Sequence, residues 1–199
     1  MSSGTDVPKP GVAALRALAH PTRLAILDLL RTHDSLTATQ CGELLGLSAK
    51  TCSYHLRLLA RHDLIRVAPG TGANQREHPW RRAFDELQAP LTDADTTGDQ
   101  QWHDAADGLL ETGLQHNYGL LLRAIGERRS WSQQWQAAMT VHTRTAAMTA
   151  EQLQAWGVAV EQVTREHLGN AAAHPSDKQR PVRLVLYGLP HPAPRPQTS

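Results

Sequence analysis

Cysteine occurs only twice in 199 residues, at Cys41 and Cys52, which excludes a disulfide framework. Aromatic residues are scarce as well: one Phe, three Tyr and five Trp. No apolar run approaches the roughly 20 residues that a membrane span needs. The opening MSSGTDVPKPG has no apolar signal core, so export is not expected and a cytoplasmic location is. No repeat of 20–50 residues is visible. The G-x-S-x-G, P-loop and H-E-x-x-H motifs are absent. His103 and Asp104 are neighbours, which on a helix point about 100° apart and do not face each other. No enzyme and no cofactor are expected.

Charge is present but nearly balanced, at a formal +1. It is unevenly spread: residues 1–90 hold 11 Lys and Arg against 8 Asp and Glu, and residues 91–199 hold 9 against 11. The bias weakly favours a polyanionic partner for the N-terminal half.

The stretch LSAKTCSYHLRLLARHDLIR, residues 47–66, concentrates that bias: one acid, Asp63, against Lys50, Arg57, Arg61 and Arg66. With Cys52 as origin on a helical wheel, Leu56 and Leu59 fall within about 40° and form the core seam. Lys50, Tyr54, Arg57 and Arg61 cluster at about 140–200°, on the opposite side. Ser53 lies on one flank, and His55 on the other, beside the core. Ser48 is placed to cap the helix, its hydroxyl accepting a first-turn N–H.

The surrounding pattern supplies a context. Residues 12–19 read as a short helix. HPTRLAILDLLRTH reads as a second, with Pro21 in its first turn and Leu24, Leu27 and Leu30 as its stripe, Ile26 beside them. A third covers 37–45 and stops at Gly46. After the basic helix, LIRVA, the Gly-rich PGTGAN and a returning QREHPW read as a β-hairpin. Two short helices joined tightly, the second basic on its outer face, form a helix-turn-helix, and the hairpin adds a wing. Such a helix fits the major groove of double-stranded DNA. The residues expected at DNA are Ser48, Lys50, Thr51, Ser53, Tyr54, Arg57 and Arg61, with Asn74 and Arg76 at the wing tip. The alternative for a basic amphipathic helix is a plain solvated face. An interaction module on the same scaffold would show acids on the Lys50–Arg57 face, and that face has none.

LRALAHPTRLAILDLL, then LTATQCGELLGLSAKTCSYHLRLLARHDLIR and the wing, resemble the ArsR-type winged helix-turn-helix transcriptional regulators. AHPTRLAIL, the S-x-x-T-x-S-x-H-L pattern from Ser48 to Leu56 and LLARHDLI carry the resemblance, over roughly residues 12–82. It implies a homodimer on a roughly palindromic operator, commonly a repressor relieved by an effector. The chain departs from the pattern of the metal-sensing relatives. The positions of their Cys-x-Cys pair are Thr37 and Thr39, and a hydroxyl is a hard, weak ligand for a soft metal. A D-x-H…H-x-x-E spacing is also missing, although His103, His116 and His142 are present. No metal site is expected.

The fold expected is mainly α with a small β-sheet. Residues 1–10 are a disordered N-terminus, 11–88 the winged helix-turn-helix domain and 89–100 a polar linker. Residues 101–190 are a helical dimerisation and effector region, and 191–199 a disordered tail. Within that region helices are read at 101–129, 133–147 and 149–167. Gly108, Gly113 and Gly119 weaken the first. PVRLVLYGLP then reads as a strand at 182–187, expected to dock on the wing sheet. The long helix and the first helix are expected at the dimer interface. Trp131 and Trp135, at i and i+4, share a helix face, either as the wall of a small-molecule effector site or as packing between helices. Cys41 and Cys52 both point into the helix-turn-helix core, so a redox-responsive regulator is an alternative reading, as is a metal-responsive one. The C-terminal half also resembles, more faintly, regions attached to ArsR-like winged helices in actinobacteria.

Overall fold

The computed structural model describes residues 10–69, 78–84 and 99–190. Asn74 and Arg76 lie outside the described residues, as do residues 1–9 and 191–199 of the expected termini, 85–88 of the expected winged domain and 89–98 of the expected linker. The architecture is mainly helical with one small antiparallel sheet. Two compact units divide the chain, Met1–Ser130 and Trp131–Ser199.

The first unit holds α1 (Val12–Leu18), α2 (Pro21–Thr32), α3 (Ala38–Leu45), α4 (Ala49–Ala60), β1 (Ile65–Val67), β2 (Trp80–Arg82) and α5 (Gln100–Glu127), which runs into a 3₁₀ turn at Arg128–Ser130. Pro21 opens α2, where a missing N–H costs nothing, and His20 Nδ1 accepts the Thr22 N–H at 3.1 Å. The buried stripe of α2 is Arg23, Ile26, Leu27 and Leu30. Ile26, Leu27 and Leu30 are buried as expected, and Leu24 is half-buried against the same core. Leu15 and Leu18 of α1, Ile26, Cys41, Cys52, Leu56 and Leu59 pack into one core. Full burial of each such Leu or Ile stabilises by about 1.5–3 kcal/mol.

The first turns of α5 complete that core. Asp99 caps the helix, accepting the Trp102 N–H at 3.1 Å. Trp102, Ala105, Ala106 and Leu109 are buried at i, i+3, i+4 and i+7 spacing. His116 and Asp28 join α5 to α2 with a 2.6 Å contact. The glycines do not interrupt the helix, which runs for 28 residues.

The hairpin differs from expectation. Its return strand is Trp80–Arg82, with Ile65 opposite Arg82, Arg66 opposite Arg81 and Val67 opposite Trp80. Pro79 can only accept, and its carbonyl takes the Ala68 N–H at 2.9 Å, so reciprocal pairing begins at Trp80. Leu36 flanks β2 on its other side, donating to the Trp80 carbonyl and accepting the Trp80 N–H at 2.9 and 2.8 Å.

The second unit holds α6 (Gln133–Ala138) and α7 (Ala150–Ala173). The helix expected to reach residue 147 ends nine residues early, because Thr140, Val141, Thr143 and Thr145 are β-branched and disfavour helix. α7 runs six residues past residue 167 through the helix-forming Ala171, Ala172 and Ala173. It stops at His174, before Pro175, and Gln179 Nε2 donates to the freed Ala171 and His174 carbonyls at 2.9 and 3.3 Å.

The expected strand at 182–187 is not formed. Period-two alternation signals a covered face, but Val182, Leu184 and Leu186 are exposed, as are Val185 and Tyr187. The segment instead lies along α7: a Cβ on Gly188 would meet the Trp156 ring at 2.8 Å and Leu153 at 3.1 Å.

Candidate nucleic-acid interface

The connection between α3 and α4 is built from glycine and hydroxyl chemistry. Thr37 and Gln40 form a reciprocal capping box at the start of α3, with contacts of 3.2 and 2.8 Å. Gly46 ends that helix in the left-handed region, at φ 67° and ψ 32°, where a side chain would be strained. The Leu47 N–H donates to the Gly42 carbonyl at 2.9 Å. Gly42 is buried where the turn crosses back: a Cβ there would lie 2.6 Å from the Leu47 carbonyl oxygen and 3.3 Å from the Ala49 nitrogen. Ser48 caps α4, its Oγ accepting the Thr51 N–H at 3.0 Å and lying 2.8 Å from Thr51 Oγ1.

This turn fixes the rotation of α4. Cys52, Leu56 and Leu59 are fully buried on one side. Lys50, Thr51, Tyr54, Arg57 and Arg61 are exposed on the other, with Ser53 half-buried on the flank. No acid lies within Ala49–Ala60. Among the expected contact residues, Ser48 and Thr51 are committed to capping, while Lys50, Tyr54, Arg57 and Arg61 present free reach from one helix face. Asp63, at φ 56°, closes the helix, and the Leu64 N–H returns to the Leu59 carbonyl at 3.1 Å.

A polar cluster behind Tyr54 was not anticipated from the sequence beyond the flank position of His55. The His55 and His20 ring centroids are 4.7 Å apart, and the Tyr54 ring meets His55 edge-on at 5.2 Å. Arg23 Nη2 donates to the Arg16 carbonyl at 3.3 Å, while Arg23 Nε and His55 Nδ1 are buried without a partner. Burial lowers the pKa of both imidazoles; Arg23 lowers both further, and His20 adds to the effect on His55. Both rings therefore take up protons less readily in the fold than in the unfolded chain, where they titrate near pH 6.5. The unfolded state then binds more protons below that pH, so this contribution to stability is complete above about pH 6.5 and is lost as pH falls further. The melting temperature is expected to drop between pH 7 and 5.5, and to drop less in His55→Phe. Parallel curves for the two proteins would remove the cluster from the pH response.

Cys41 and Cys52 are both buried in the core as free thiols. Burial, with a contribution from Cys52, pushes the Cys41 thiol up to about 11, and burial raises Cys52 as well. Both stay protonated at neutral pH, the unreactive form. Among the described residues no group of three or more His, Cys, Asp or Glu could hold a metal.

In the second unit, Trp131 and Trp135 share one cation: the Arg180 guanidinium stands 5.7 and 5.4 Å from their ring centroids. Beside them is a cavity of about 620 Å³ whose walls include Trp135, Leu168, Ala171, Lys178 and Val182.

A helix-turn-helix is the class this geometry defines. The model of a helix-turn-helix domain family matches residues 18–68, which hold α2, α3, α4 and β1. A comparison with curated proteins gives no significant match. No helix among the described residues is long and apolar enough to cross a membrane.

Proposed function

We propose that the protein is a sequence-specific DNA-binding transcriptional regulator of the ArsR type, acting as a homodimer on a roughly palindromic operator. The observation that carries this reading is the acid-free outer face of α4, with Lys50, Tyr54, Arg57 and Arg61 held outward by the Gly46–Ser48 turn between α3 and α4. A helix presented this way fits the major groove, and its cations meet backbone and base acceptors. The homodimer is supported by the second half of α5, where Leu114, Tyr118, Leu121, Leu122 and Ile125 are all exposed along the helix. Repression is what the ArsR resemblance implies. A small-molecule effector is supported by the Trp131–Trp135–Arg180 arrangement and its neighbouring cavity, whose volume lies in the range of ligand pockets.

Selection from a random duplex pool tests the reading. Enriched sequences are expected to hold two inverted half-sites about one helical turn apart, bound by a species of twice the chain mass in light scattering. Failure to enrich any sequence over the starting pool would overturn sequence-specific binding. Enrichment of one unrepeated site by a monomer would overturn the dimer.

A further inference from the structure

The base of the hairpin holds a second concentration of cations. The β1–β2 register sets Arg66 directly opposite Arg81. Like charges placed so destabilise a sheet. The end of α2 forms the facing wall, and together they enclose a cavity of about 320 Å³ lined by Arg31, His33, Asp34, Arg66, Arg81 and Arg82 among others. Among the described lining residues four are arginines and one, Asp34, is acidic. Arg31 is joined to Asp28 at 3.1 Å, outside the lining. No salt bridge within the described residues reaches Arg66 or Arg81, and Arg81 Nε is buried with no hydrogen-bond partner.

A buried guanidinium donor without an acceptor, beside a like-charged cross-strand neighbour, is costly unless an anion fills the space. The anion must bridge the opposed Arg66 and Arg81, and it must offer several oxygens to planar donor forks. A phosphate group meets both requirements, and arginine is the side chain that binds it bidentately. We propose that this cavity, between the end of α2 and the β1–β2 sheet, is a phosphate-binding site distinct from the α4 face. Two sources offer that chemistry: a free phosphorylated small molecule and the backbone of a DNA duplex.

The test uses the full chain in phosphate-free, low-salt buffer, with inorganic pyrophosphate as the probe. Pyrophosphate is expected to raise the melting temperature saturably, and Arg66→Gln to weaken its affinity about tenfold or more, as loss of a charged hydrogen bond does. Arg66→Gln with Arg81→Gln is expected to abolish the rise. Without pyrophosphate the double variant is expected to melt no lower than the parent, because the opposed charges are gone. Arg66→Gln alone, at an exposed side chain, carries the test if the double variant does not fold.

A second arm measures the salt dependence of binding to a random-sequence duplex. A slope reduced by about one unit in Arg66→Gln assigns the site to the DNA backbone. An unchanged slope with pyrophosphate bound assigns it to a free phosphorylated ligand. Two results overturn the proposal. One is an equal pyrophosphate response in parent and variants. The other is no response in the parent together with an unchanged salt slope. Loss of DNA binding in α4 variants leaves the pyrophosphate arm untouched, so this site and the DNA-binding reading fail separately.

Discussion

Replacing Lys50 and Arg57 together by alanine is expected to weaken duplex binding at least about tenfold while leaving thermal stability nearly unchanged. Both side chains are exposed on α4 and belong to neither its core face nor its cap. If both meet phosphates, affinity falls on every sequence and the slope of log K against log salt drops by about two units. If either meets a base edge, specific binding loses about 1–3 kcal/mol per contact and non-specific binding is retained. Titrating selected and random duplexes at several salt concentrations separates the two outcomes. Unaltered affinity for a selected site would show that α4 is not the recognition helix.

Gly42→Ala is expected to destabilise the first unit by about 1–3 kcal/mol, the usual cost of overpacking. An alanine inside a helix normally gains about 0.5–1 kcal/mol over glycine. Here the added carbon would sit 2.6 Å from the Leu47 carbonyl oxygen, and that atom is backbone. Relief requires moving the turn, and with it the start of α4. Gly169→Ala provides the contrast: it lies on exposed α7 surface with nothing within 4 Å of the new carbon. It is expected to stabilise by about 0.5–1 kcal/mol. Denaturant unfolding of both variants checks the pair. A Gly42→Ala protein as stable as its parent would mean that the turn adapts.

These glycines also show where the sequence was informative. Gly46 was legible as a helix stop, because left-handed backbone is a local property. Gly42 was not, since its constraint comes from a chain crossing five residues on. The outer face of α4 was legible because a single periodicity sorts Cys52, Leu56 and Leu59 from Lys50, Tyr54, Arg57 and Arg61. The His20–His55 contact and the Arg66–Arg81 opposition were not, since each depends on how separate elements meet. The latter needed the hairpin register, which was read too early in the chain when Pro79 was taken inside the return strand. At residues 182–187 a true alternation had no ladder to join: a strand is a property of a pair, and periodicity reports only one member.

Trp80 holds a place in this fold beyond its part in the hairpin. It is bonded to Leu36 as well as facing Val67, so β2 has a chain on each side. Among the described residues the sheet therefore offers the outer edge of β1 to a passing strand, and that edge is three residues long with the exposed Arg66 at its centre. Short, charged edges discourage strand addition. Copies of this domain brought close together are therefore not expected to zip their hairpins into a continuous sheet.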